Sequence, residues 1–110
     1  MNFINNIMGY LNYLAEFVGT FLLLSAILTA LTKDSCFNKM QPLSVLIVLA
    51  IMVVLSGVIY GLHFNPAVSM MMYLNKTLNL EDLLPYIIAQ LLGGVAAWKF
   101  VDISKTLKLT

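Results

Sequence analysis

The sequence predicts an all-α integral membrane protein with three transmembrane helices and one re-entrant half-helix that enters the bilayer without crossing it. Three observations predict this fold. Of 110 residues, 61% are hydrophobic and only 10% charged, too apolar a balance for an ordinary soluble domain. The charges gather in a few patches separating apolar runs, the pattern of a chain that crosses a membrane more than once. The apolar run from Ser69 to Leu74, with the Asn65-Pro66 pair that opens it, makes about ten residues, half of the ~20 a spanning helix needs.

Residues 1–9 are polar, asparagine-rich and without lysine, and Glu16 interrupts the apolar stretch behind them, so no cleaved signal is expected. The first span is expected from about Tyr10 to Leu31. Lys33, Asp34 and Lys39 mark a short polar loop, and Pro42 starts a second span that continues to about Tyr60. That span is rich in β-branched residues, but in lipid its length and apolarity decide for helix. Asn65 reads as an N-cap and Pro66 as the first helical residue, where proline gives up no hydrogen bond. The half-helix is therefore expected over 65–74. Its N-terminus would carry about half a positive charge and unpaired N–H groups at membrane depth. Non-helical backbone there is tolerated only when buried in protein or lining a watery cavity. Asn75 to Asp82 reads as a polar turn, with Asn79 and Asp82 as candidate caps for a third span from about Leu83 to Val101. Residues 1–110 read as a single unit, with no internal repeat and no second domain.

His63-Phe64-Asn65-Pro66-Ala67-Val68 resembles the first signature motif of the major intrinsic proteins, the aquaporins and glycerol facilitators. The tripeptide alone is a weak signal, and the ordered set is the specific one. Ala15-Glu16-Phe17-Val18-Gly19-Thr20-Phe21 resembles the start of the family's first helix, and Gly57 and Gly61 fall where its loop carries glycines. Ala89-Gln90-Leu91-Leu92-Gly93-Gly94 resembles its third helix. The resemblance covers most of residues 14 to 100. It implies one half of the aquaporin-like inverted-repeat fold, in which two such units lie in opposite orientations and their half-helices meet end to end. The function it implies is a passive channel for water or small neutral solutes such as glycerol, in the cell (plasma) membrane. Inverted-repeat membrane proteins place the site between the repeats. A unit of this kind therefore needs a second one, most simply a second copy in an antiparallel homodimer. Family members assemble four pores side by side, which implies eight chains. Two rivals are a non-conducting half-subunit that needs a different partner chain, and a proton-coupled carrier using Glu16 and His63. Lys33, Lys39, Lys105 and Lys108 share one side of a three-span unit, so the positive-inside rule puts the N-terminus outside. The resemblance implies a cytoplasmic N-terminus.

Asn65 leads the candidate pore residues, because its amide can donate to a passing water or hydroxyl oxygen at the positive end of the half-helix; the plainer reading is an ordinary N-cap. Pro66 and Ala67 complete the motif. The resemblance implies that Gly61, Leu62 and His63 line the pore with backbone carbonyls. His63 is also open to reading as a proton relay or metal ligand, though no second ligand stands near it in sequence. Leu62 and Tyr60 replace the small residue and the serine usual in the family. Val68 follows the motif, Val45 stands where the filter aromatic would fall, and all six basic residues are lysines. The arginine of the family's filter is therefore missing, and the two constrictions of a homodimer would be apolar.

Glu16 is an acidic side chain inside a span and costs ~3 kcal/mol or more there unless paired. It is either a proton carrier or, as the resemblance implies, a support for the motif loop, with Gln90 as polar glue from the third span. Gly57, Gly61 and Gly93-Gly94 suit close helix packing. Cys36 is the chain's single cysteine, so it forms no disulfide within the chain and no thiol metal site. Without arginine or a basic stripe there is nothing for nucleic acid to bind. No nucleophile stands with a base and no carboxylates cluster, so neither an enzyme nor a cofactor is expected.

Overall fold

The computed structural model describes residues 2–31, 46–48, 50–51 and 62–107. Three helices organise them: α1 (Asn2–Leu31), α2 (Pro66–Leu74) and α3 (Leu80–Thr106). Residues 46–48 and 50–51 are also helical. Most of the expected second span, with Val45, Gly57, Tyr60 and Gly61, lies outside the described residues, as does Cys36.

α1 begins eight residues before the expected first span and is 30 residues long. At ~1.5 Å per residue it measures about 45 Å, beyond the ~30 Å of a bilayer's hydrocarbon core. The asparagines at its start do not break it. They are compatible with helix where water solvates their side chains; farther along α1, inside the expected span, the Tyr13 hydroxyl donates to Asp82 Oδ1 in the first turn of α3 at 2.6 Å. α3 likewise outruns its expected span at both ends, covering 27 residues. Asn79 occupies its N-cap, but its side chain makes no capping bond. Asp82 does not cap it either. With Glu81 it lies in the first turn, where negative charge suits the helix dipole. Pro85 sits inside α3 and removes the hydrogen bond an N–H would give to the preceding turn. Both α1 and α3 are long and apolar enough to cross a membrane.

α1 packs along α3, and α2 packs against α3. The pairs between the long helices rise together: Tyr13 meets Tyr86, Glu16 meets Gln90, and Phe21 meets Phe100. The two helices are therefore parallel. Their backbones come close at Gly93, where an added Cβ would lie 2.7 Å from the Phe17 carbonyl oxygen and 3.0 Å from Thr20 Cβ. Ring pairs flank this crossing, with Tyr13 and Tyr86 at 5.8 Å and 82°, and Phe21 and Phe100 at 5.5 Å and 66°, both in the edge-to-face range.

α2 starts and stops by local chemistry. Asn65 is extended (φ −155°, ψ 125°), its side-chain oxygen accepts from Ala67 N–H at 2.8 Å, and Pro66 follows as the first helical residue. At the other end Lys76 N–H donates to Tyr73 O at 3.0 Å and Thr77 N–H to Met72 O at 2.9 Å. Those two bonds form a Schellman closure, with Lys76 (φ 65°) in the left-handed place usually held by glycine.

Candidate functional site

The polar centre of the molecule is Glu16, fully buried in α1. Its carboxylate gathers the chain segment leading into α2. Oε1 accepts from His63 N–H at 2.6 Å and Oε2 from Phe64 N–H at 2.7 Å. Gln90, also buried, donates from Nε2 to Glu16 Oε2 at 3.1 Å and to Ser69 Oγ at 2.8 Å. Ser69 is fully buried on the first turn of α2, and its Oγ lies 2.8 Å from His63 Nδ1. α1, α3 and the loop thus meet on one carboxylate, and α2 joins them through Ser69 and Gln90. Hydrogen bonds to a charged group contribute about 1.5–3 kcal/mol each, and here they offset the cost of burying that charge.

Phe64 depends on this clamp. Its φ of 59° places a bulky residue in the left-handed region, which costs on the order of 1–3 kcal/mol unless the surroundings fix it. Two supports do so: the bond from its N–H to Glu16, and a buried seat for its ring on α1. The seat exists only because residue 19 is glycine, since a Cβ there would fall 1.9 Å from the ring. The turn at Phe64 aims Asn65 away from the clamp, and Asn65 is exposed.

Position along the helices is the informative part. Glu16 is near the middle of α1, so α2 begins about halfway along that helix and ends beside the start of α3. Past its N-terminus the cleft between α1 and α3 continues as an open groove of about 560 Å³ that reaches Asn65 and Pro66. Leu23, Leu24 and Ile27 line it from α1, and Leu91, Val95 and Trp98 from α3. Two buried polar atoms on groove-lining residues, Thr20 Oγ1 and Gln90 Oε1, have no hydrogen-bond partner among the described residues. Among the described residues no group of three His, Cys, Asp or Glu side chains could hold a metal ion.

The family model for the major intrinsic proteins matches residues 4–108. The chain belongs to the major intrinsic protein family. It is 39% identical over 89 residues to a glycerol uptake facilitator protein-like protein of Lactiplantibacillus plantarum, covering 77% of this chain and 39% of that one. It is 37% identical over 83 residues to an aquaglyceroporin of Toxoplasma gondii, covering 74% of this chain and 31% of that one. It is 39% identical over 89 residues to aquaporin Z of Brucella melitensis, covering 76% and 39%. The match thus spans about two-fifths or less of the length of these relatives. No solved structure matches the chain.

In this major intrinsic protein the structure brings together Glu16, Gln90 and the backbone N–H of His63. Asn65, Pro66, Ala67 and Val68 lie on the first turn of α2. Leu62 and His63 are half-buried just before it. Val45 and Gly61 lie outside the described residues. Sequence reasoning passed over Ser69, Phe64, Thr20 and Tyr86. A hydroxyl among methionines one turn after an N-cap is the signal that points to Ser69. Tyr86 carries no local signal, because its partners His63 and Tyr13 come from elsewhere in the chain.

Proposed function

We infer that this chain is one half of a passive transmembrane channel for water and small neutral solutes of the glycerol class, and neither an enzyme nor a carrier. The observation that carries the reading is a nine-residue helix that begins about halfway along α1 and presents the Asn65 amide at its exposed, positive end. Asn65 Oδ1 is occupied by Ala67 N–H, which leaves the amide N–H groups to donate to an oxygen passing the half-helix end. The printed names of the relatives, a glycerol facilitator, an aquaglyceroporin and an aquaporin, support the same solute class. The re-entrant reading of α2, the three-span unit over residues 1–110 and a plasma-membrane location belong to this proposal.

The open groove and the exposed start of α2 call for a second unit, since unsatisfied groups facing hydrocarbon cost several kcal/mol each. An antiparallel copy is the simplest one, placing a second α2 end against the first. Eight chains as four pores follow by analogy with the family. A different partner chain is the second reading. A carrier based on Glu16 finds less support, because the carboxyl is fully buried and holds the motif loop through two backbone N–H groups.

The test is osmotic shrinkage of proteoliposomes containing this chain alone, followed by light scattering after sucrose and then glycerol shocks. Shrinkage faster than protein-free vesicles, lost in an Asn65→Ala, Pro66→Ala variant inserted to the same density, is the expected outcome. Shrinkage at the bare-lipid rate would reject self-sufficient conduction and leave the heteromeric reading.

A further inference from the structure

Glu16, Gln90, Ser69 and His63 form one unbroken chain of contacts whose hydrogens can be counted. Everything bonded to the Glu16 carboxyl is a donor: two backbone N–H groups and Gln90 Nε2. That set matches a carboxylate, which only accepts. The second hydrogen on Gln90 Nε2 goes to Ser69 Oγ. The Ser69 hydroxyl, already accepting from Gln90, has His63 Nδ1 at 2.8 Å as its remaining partner among the described residues, and its own hydrogen is assigned to that nitrogen on this ground. Nδ1 is then an acceptor, and a neutral ring must carry its proton on Nε2. Nε2 has no hydrogen-bond partner among the described residues.

The orphaned Gln90 Oε1 supplies the other half of the argument. A carboxyl group that gains a proton needs an acceptor, and half a turn of the Gln90 amide brings Oε1 to face both Glu16 and Ser69. Ser69 then donates to Oε1 and accepts from an Nδ1–H on His63. Every link is satisfied in either direction. We propose that these four side chains are a two-way hydrogen-bond relay, in which protonation of Glu16 moves the ring proton of His63 from Nε2 to Nδ1. Nε2 changes from donor to acceptor. One proton is taken up, at Glu16. The ring loses one from Nε2 to water and gains one from water at Nδ1, so it stays neutral. Gln90 and Ser69 keep their hydrogens and only rotate.

The titratable groups around the ring are Glu16 and Tyr13 of α1, and Asp82 and Tyr86 of α3. Tyr86 packs on it at 5.1 Å, and Tyr13 is engaged by Asp82. Neither tyrosine touches the relay through a hydrogen bond among the described residues. The inference concerns hydrogen-bond direction and stands whether or not the chain conducts.

His63 is the chain's single histidine, so histidine labelled with nitrogen-15 reports this ring alone. Solid-state NMR of the labelled protein in bilayers at neutral pH should show Nε2 protonated and Nδ1 bare. Glu16→Gln, whose carboxamide has the donor and acceptor of the protonated acid, should show Nδ1 protonated at the same pH. An Nδ1-protonated parent, or one tautomer in both proteins, overturns the proposal. If Glu16→Gln fails to fold by circular dichroism, the parent is titrated until the carboxylic acid band of Glu16 appears in its infrared spectrum. The tautomer should change with that band in the parent and not in Ser69→Ala, which cuts the relay and spares the loop bonds. No change in the parent, or the same change in Ser69→Ala, overturns it.

Discussion

At the scale of single residues, Glu16 is a structural anion whose worth lies in what it holds. Removing it strands two backbone N–H groups in a dry interior, each costing about 1–3 kcal/mol, and frees Phe64 from its left-handed turn. Glu16→Ala is therefore expected to destabilise the protein by about 3–5 kcal/mol, in line with breaking a buried charged network. The check is thermal unfolding in detergent, where a midpoint within a degree or two of the parent would refute it. Glu16 was legible in the sequence because a carboxylate inside an apolar span is costly wherever it stands. Ser69 was not, because a hydroxyl on a short helix gains its meaning only when α3 brings Gln90 to it.

At the scale of elements, the two neighbouring glycines of α3 do different work. Gly93 lies where the α1 backbone crosses, and an added methyl meets a carbonyl oxygen at 2.7 Å. At Gly94 the nearest atom is the end of a flexible leucine, Leu24 Cδ1 at 3.2 Å. Gly93→Ala should thus cost about 1–3 kcal/mol by overpacking, and Gly94→Ala clearly less. Equal losses in a paired unfolding experiment would show that the α1–α3 crossing is not set by Gly93. The pattern Gly93-Gly94 pointed to close packing from sequence, but not to which glycine touches, since that depends on helix rotation. The start of α2 was readable because capping acts within three residues. The ends of α1 and α3 were not, because turns rich in Asn, Asp and Lys read as loop from sequence alone; at the start of α3 the partner that engages Asp82, Tyr13, comes from another helix.

At the scale of the whole molecule, the unpaired end of α2 and the groove beyond it make a geometric demand on any second copy. In the antiparallel pair, residues at the start of α2 approach their own counterparts across a two-fold axis, whereas residues at its far end point away. With Cys36→Ser as background, Ala67→Cys is expected to give a disulfide-linked dimer on mild oxidation in bilayers, and Leu74→Cys none. A bond needs Cα atoms within roughly 7 Å, so efficient linking through Leu74→Cys with none through Ala67→Cys would exclude this arrangement.

The Glu16 clamp also has a history in the making of the chain. Its partners follow it by 47, 48 and 74 residues, and polypeptides emerge from the ribosome N-terminal end first. When α1 meets the membrane, His63, Phe64 and Gln90 have not yet reached it. The first helix must therefore enter lipid with its acid unanswered, and a lone charged acid at mid-helix sets insertion back by ~3 kcal/mol. The acid gains its donors only when the motif loop docks, so that docking marks the moment the fold closes.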